Sequence, residues 1–249
     1  MAANNPGRAM HRDKPILLLS RPEADSQRFL TALPTDLVSF CHPIIAPVFR
    51  IFTLPVDRPM AGDIILTSSN ALGSVPAAQG CRAWCIGQAT TEKARQAGFD
   101  ARFAGRAADD LVAYLGGFPP QKFTHFRGKH TRGDIAERLR AAGHDVGEAI
   151  VYDQIETAWQ DRVSQALFEA SAIVAPVFSP RTGRIVSRRI GDPAKLYLAA
   201  MSESVALEFD NRDSNHTVIA AQPEWNGMLD ATIRLLKLVS RVEGNPSAL

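Results

Sequence analysis

Ile64-Ile65-Leu66-Thr67-Ser68-Ser69-Asn70 is an apolar run that stops at a cluster of small hydroxyl side chains, with a helix-patterned segment directly behind it. The same junction recurs. Trp84-Cys85-Ile86 leads into Gly87-Gln88-Ala89-Thr90-Thr91, Val174-Ala175-Pro176-Val177-Phe178 into Ser179-Pro180-Arg181, and Leu196-Tyr197-Leu198-Ala199-Ala200-Met201 into Ser202-Glu203-Ser204. Apolar runs this short, each closed by residues that start helices, read as strands feeding helices. Their repetition predicts parallel sheet covered by helices on both faces. A helix N-terminus leaves N–H groups unpaired and carries partial positive charge, so each junction can seat a carboxylate or a phosphate. Several such loops facing one cleft suit a ligand with many negative charges.

Upstream, Ile16-Leu17-Leu18-Leu19 ends in Ser20-Arg21-Pro22, and a helix pattern then places Phe29, Leu30 and Leu33 on one face. Pro22 stands at the helix start, where its missing N–H costs nothing. Residues 38–50 contain Pro43 and Pro47, read as extended, and do not suit a central strand. Helices are expected over 91–97, 108–115 and 131–142, with Gly98 and Gly143 at the C-cap positions. A second extended passage covers 150–157. The strand-helix rhythm then returns through Ile173, Tyr197 and Val218 and closes on an amphipathic helix over about 224–239. Pro176 predicts that its strand is bulged or lies at an edge. The two extended passages bracket a middle block. The expected organisation is therefore an inserted α/β domain over 46–151, a discontinuous α/β domain over 1–40 and 158–249, and connecting strands at 41–45 and 152–157.

With 249 residues the chain can bury two cores of ordinary size. A net charge of +2 is too near zero for a general nucleic-acid or membrane binder, so any affinity for anions must be local. Cys41, Cys81 and Cys85 form no C-x-x-C pair and read as free thiols in a reducing compartment. His11, His42, His125, His130, His144 and His216 show no metal-ligand spacing. No G-x-G-x-x-G accompanies Gly87, which argues against a bound dinucleotide. The polar opening 1–14 lacks the apolar core of a signal peptide and no run is long enough to span a bilayer, so a soluble, cytoplasmic protein is expected.

Ser20-Arg21-Pro22 after an apolar strand, Leu66-Thr67-Ser68-Ser69-Asn70, Ile86-Gly87-Gln88-Ala89-Thr90, Phe126-Arg127-Gly128, Val151-Tyr152 and Phe178-Ser179-Pro180-Arg181 stand in the order and spacing of one family. Over about 16–236 the chain resembles the uroporphyrinogen-III synthases. The resemblance implies two flavodoxin-like α/β domains with parallel sheets, joined by a two-stranded linker, and an active site in the cleft between them. It further implies conversion of hydroxymethylbilane, a linear tetrapyrrole with an acetate and a propionate on every ring, into uroporphyrinogen III. Water is lost and ring D is inverted through a spirocyclic intermediate. The family works without metal or organic cofactor. A monomer is expected, with hydroxymethylbilane synthase as the upstream donor and no nucleic acid or membrane as partner. The junction Met201-Ser202-Glu203-Ser204 departs from the family's loop: it lacks a glycine, and Glu203 would repel a carboxylate.

On that resemblance Tyr152 is the candidate catalytic residue, its phenol hydrogen-bonding the leaving hydroxyl; the alternative is an interfacial tyrosine held for packing. Thr67, Ser68, Ser69, Gly87, Gln88, Ala89, Thr90, Gly128, Ser179 and Ser204 would give hydroxyl and backbone N–H groups to substrate carboxylates. Ser and Thr at such places are also ordinary helix caps, and one residue can serve both ends. Arg21, Arg127 and Arg181 suit bidentate pairing with carboxylates, unless each is solvated or paired with a nearby acid. Lys129, Arg132 and Arg184 are weaker candidates of the same kind. The rival reading is a two-lobed anion-binding or regulatory protein of the same fold without catalytic activity.

Overall fold

A computed structural model describes residues 14–56, 61–75, 81–131, 133–209 and 216–242; His11, Arg132 and both chain ends lie outside them. The described residues divide into two compact units, those up to 50 with those from 156 onward, and those between 51 and 155.

The first unit is built on β1 (Ile16–Leu19), β2 (His42–Ile45), β9 (Ile173–Val177), β10 (Leu196–Ala200) and β11 (His216–Ile219). They form one sheet in the order β11-β10-β9-β1-β2, with parallel neighbours. Strands buried on both faces need apolar residues throughout, which is why β1 reads ILLL and why every residue of β1, β9 and β10 is buried. The pleat sends Ile16 and Leu18 into one core and Leu17 and Leu19 into the other. Helices α1 (Glu23–Ala32), α2 (Thr35–Phe40) and α9 (Trp225–Val242) contribute Phe29, Leu37 and Leu236 to the second core; α6 (Asp161–Glu169), α7 (Pro180–Arg189) and α8 (Glu203–Ala206) contribute Leu167, Ile185 and Val205 to the first.

The second sheet holds β3 (Phe49–Thr53), β4 (Asp63–Leu66), β5 (Arg82–Ile86), β6 (Asp100–Gly105), β7 (Lys122–Gly128) and β8 (Asp145–Glu156), in the order β3-β8-β7-β4-β5-β6. A 3-10 helix (Ser69–Ser74), α3 (Gln88–Gln96), α4 (Ala108–Gly116) and α5 (Ile135–Ala141) connect them. Ile64 and Leu66 enter one core, Ile65 the other. The chain passes between units twice, within β3 and within β8, which are neighbours in the sheet order.

Several expectations are corrected. Residues 38–40 end α2, and the expected connecting strand 41–45 is instead β2, paired with β1 from Ile16↔His42 to Leu19↔Ile45. An edge place tolerates Pro43, which can give no N–H to a neighbour. Strand β9, which carries Pro176, is neither bulged nor at an edge: it lies between β10 and β1 and pairs with β10 in unbroken register. The ladder to β1 covers only Ile173 and Val174, so Pro176 removes no bond from it. The helix expected from residue 131 begins at Ile135, because Gly133 and Asp134 take φ of 88° and 44°, outside the helical region. Helix α3 starts at Gln88 rather than 91, with Gly87 (φ 80°) as its N-cap in a conformation that side chains disfavour.

Candidate functional site

Each sheet has one place where the chain reverses its direction of strand addition. In the first unit it lies between β1 and β9; in the second, between β4 and β7. Ligands of open parallel α/β sheets usually sit at such a switch point, outside the carboxyl ends of the two flanking strands. The loop after β1 carries Arg21; the loop after β9 ends in Ser179, with Arg181 the second residue of α7; the loop after β4 carries Thr67 and Ser68, with Ser69 opening the 3-10 helix; and β7 ends in Arg127 and Gly128. These candidates thus stand at two switch points, one in each unit, whereas Gly87, Gln88, Ala89 and Thr90 follow β5 and Ser204 follows β10.

In the second unit Tyr152 reaches this edge from β8. A register shift between Arg127 and Gly128 brings Gly128 opposite Tyr152. The approach is close: a Cβ on Gly128 would sit 2.6 Å from Tyr152 Cζ and 2.9 Å from its hydroxyl oxygen. Only glycine fits against that ring. Burial raises the phenol's pKa above the ordinary value of 10.0, and the neighbouring Ser68 side chain and Gly128 backbone pull it back in part. At neutral pH it is a protonated donor. Ser68 also caps the 3-10 helix, accepting the Asn70 N–H at 3.2 Å.

The next junction, after β5, differs from its expected form. Gln88, Ala89 and Thr90 are the first three residues of α3, so their N–H groups have no partner inside the helix, whereas the Thr91 N–H reaches Gly87 O at 3.1 Å. Thr90 is a buried helical residue and not a loop residue. Lys93, three positions after Thr90 and so on the same side of α3, places Nζ 3.4 Å from Ser69 Oγ. It brings a cation to this loop pair, and its spacing from Thr90 was the signal available in the sequence.

Arg127 is engaged elsewhere. Its Nε donates to Glu148 Oε1 at 2.7 Å and a terminal nitrogen to Gly128 O at 3.1 Å, while Arg140 approaches the same carboxylate at 3.5 Å. Arg184 likewise forks onto Glu208 at 2.8 and 3.1 Å, and Lys129 lies 3.4 Å from Asp153. These are the acid-paired alternatives.

In the first unit Arg21 donates to Asp25 at 2.9 Å and lies 4.3 Å over the Phe178 ring. Phe178 in turn meets Phe29 edge-on, which also meets Trp225, and Arg28 stacks over Trp225 at 4.3 Å. Phe178, Trp225 and Arg28 were not singled out from the sequence as site neighbours, since no local spacing links α1, β9 and α9. Arg181 stacks over Phe49 at 4.3 Å. An aromatic face holds a guanidinium by its plane. Ser179 caps α7, its oxygen accepting the Thr182 N–H at 3.2 Å. Ser204 and Ser202 bond one another at 2.9 Å at the start of the four-residue α8.

A family model described as uroporphyrinogen-III synthase HemD matches residues 41–230. Among solved structures, the uroporphyrinogen-III synthetase of Helicobacter pylori is 14% identical, with a TM-score of 0.63 over 89% of this chain and 99% of that one. A mutant uroporphyrinogen III synthase of the extremely thermophilic bacterium Thermus thermophilus, also 14% identical, gives a TM-score of 0.52 over 90% of this chain and 99% of that one. A comparison with curated protein sequences found no match. At such identities the structural likeness speaks for the fold, whereas the family model reads the sequence itself over most of its length. The chain belongs to the uroporphyrinogen-III synthase HemD family, a family of cyclising lyases.

Proposed function

We propose that this chain closes hydroxymethylbilane to uroporphyrinogen III, with loss of water and inversion of ring D, and that it does so mainly by holding the substrate's carboxylates. The observation that carries the reading is the gathering of hydroxyls and helix-start N–H groups at the carboxyl edge of each sheet, with two aromatic-stacked guanidinium groups in the first unit. Thr67, Ser68, Ser69, Gly87, Gln88, Ala89, Thr90, Gly128, Ser179 and Ser204 offer donors, and Arg21, Arg181 and Lys93 add positive charge. Carboxylates held at fixed points turn an unguided closure into an oriented one. Tyr152, buried and protonated at neutral pH, donates to the departing hydroxyl. Arg127 takes a supporting place in this scheme because Glu148 occupies it.

The enzyme works as a monomer in the cytoplasm and takes its substrate from hydroxymethylbilane synthase; the free thiols of Cys41, Cys81 and Cys85 suit a reducing compartment. Among the described residues no helix is long and apolar enough to cross a membrane. The test is the initial rate at which hydroxymethylbilane, generated in place, is consumed. The protein should accelerate it above spontaneous closure in proportion to its concentration, and a rate equal to the spontaneous one would end the proposal.

A further inference from the structure

A cavity of about 440 Å³ opens in the first unit between β11 and α9, lined by His216, Val218, Arg234, Lys237, Leu238 and Arg241 among others. Strand β11 is at the edge of its sheet, with β10 and β9 between it and the switch point, and none of the residues given a part in the tetrapyrrole reaction lines this cavity. The pleat of β11 turns His216 and Val218 toward α9. Val218 packs in the core that Leu235 and Leu236 share, and the His216 ring stacks flat on Tyr197, with centroids 4.4 Å apart and planes 3° apart. On α9, positions 234, 237, 238 and 241 follow the i, i+3, i+4, i+7 spacing of one helix face, and all four are exposed. The charge of that face sets it apart. Arg21, Arg127, Arg138, Arg184 and Arg189 each meet a carboxylate, whereas among the described residues no ion pair and no side-chain hydrogen bond engages Arg234, Lys237 or Arg241. Cations aligned on one helix face repel one another. Arg241 gains some compensation from the negative end of the helix dipole, which does not reach Arg234 two turns earlier.

We propose that this cavity is a binding site for an elongated organic dianion, two carboxylates joined by an apolar chain or ring. From Arg234 to Arg241 the helix rises about 10 Å, so a ligand matched to the row carries an anionic group toward each end. Leu238 stands between the outer cations with Val218 and Leu235 beside it, an apolar midsection that suits an apolar body. Carboxylates, rather than phosphates, follow from the place on the helix. Phosphate sites gather backbone N–H groups at helix starts, and this is the C-terminal half of α9, where the free backbone groups are carbonyls. The volume lies within the roughly 300–1,000 Å³ common to small-molecule sites.

The test titrates isotope-labelled full-length protein with suberate, a linear dicarboxylate, and follows the backbone amide resonances. Suberate should shift the resonances of residues 216–218 and 234–241 along one saturating curve. Octanoate has the same length of chain and a single carboxylate; pyrophosphate has the charge and no apolar body. Each should bind at least about tenfold more weakly than suberate, the factor expected for losing one charge-assisted contact or the apolar contact. Arg234→Gln combined with Arg241→Gln should weaken suberate by at least about tenfold, while the unfolding temperature without ligand does not fall, since both side chains are exposed. Wild-type protein should also unfold at a higher temperature in saturating suberate, and the double variant should not. Shifts that fail to saturate or that scatter over the surface overturn the proposal. Octanoate or pyrophosphate binding as tightly as suberate overturns it too, as does a suberate affinity that the double substitution leaves unaltered.

Discussion

At the scale of single residues, the role proposed for Tyr152 depends on the glycine beneath its ring. Tyr152→Phe keeps the buried ring and removes one donor. It should slow turnover roughly ten- to a hundredfold, about 1.5–3 kcal/mol of barrier, while leaving the product isomer and the unfolding temperature unchanged. Wild-type rate in the variant would return Tyr152 to packing alone. Gly128→Ala should do more, since its methyl would meet the ring at 2.6 Å: activity falls at least as far as in Tyr152→Phe, and stability drops by about 1–3 kcal/mol in thermal unfolding. A different residue controls behaviour in acid. His125 is buried, and among the described residues neither ring nitrogen has a hydrogen-bond partner. Burial lowers its pKa from 6.5 to about 4, against the pull of Glu148 and helped by Arg127. Between those values the unfolded chain binds the proton and the folded chain does not, so stability is fully present above pH 6.5 and is lost as pH falls toward 4. The loss is on the order of 3 kcal/mol at most. His125→Leu should flatten that dependence in unfolding measured at pH 5 and pH 7; an unchanged slope would assign it to other groups.

At the scale of elements, strand pairs and helix starts decide which candidates are available. Arg127 on β7 and Glu148 on β8 lie 21 positions apart in sequence, and only the pairing of those strands brings them to 2.7 Å. Nothing local in Phe126-Arg127-Gly128 could reveal it. Arg127→Ala should therefore leave KM within about twofold and lower stability by about 1 kcal/mol, a discounted figure because both groups are partly solvated. Arg21→Ala and Arg181→Ala remove positive charges held on aromatic faces and, on the proposed function, should raise KM more than they lower kcat. The reverse pattern in both would take them out of substrate holding. Ser179 was legible as a helix start from Ser-Pro alone, and it does cap α7. Its removal by Ser179→Ala should cost about 1 kcal/mol of stability, separate from any loss of binding. Thr90 was less legible. The start of α3 depends on the positive φ of Gly87, which moves the helix boundary three residues upstream of the place its apolar pattern suggests.

At the scale of the molecule, the alternation of strands and helices carried most of the fold. The runs at β1, β4, β5, β9 and β10 are too apolar for anything but strands covered on both faces, and Gly98 and Gly143 mark turns that follow α3 and α5. Short strands with few apolar residues were harder. Strand β2 begins His-Pro and has the composition of a linker, and its membership of the first sheet comes from pairing with β1, a long-range contact. The order of strands, and with it the two switch points, was not written in any one segment, although the loops that line them were. Those loops support the central claim: fixed points for carboxylates at both sheet edges decide how the linear tetrapyrrole folds before it closes. The measurement that tests this most directly is the ratio of type III to type I uroporphyrinogen formed from hydroxymethylbilane as protein is added. The account predicts type III as the main product with wild-type protein and with Tyr152→Phe alike, and a ratio that falls toward type I when Arg21 and Arg181 are both replaced by Ala. Type I as the main product at every concentration of wild-type protein would contradict it.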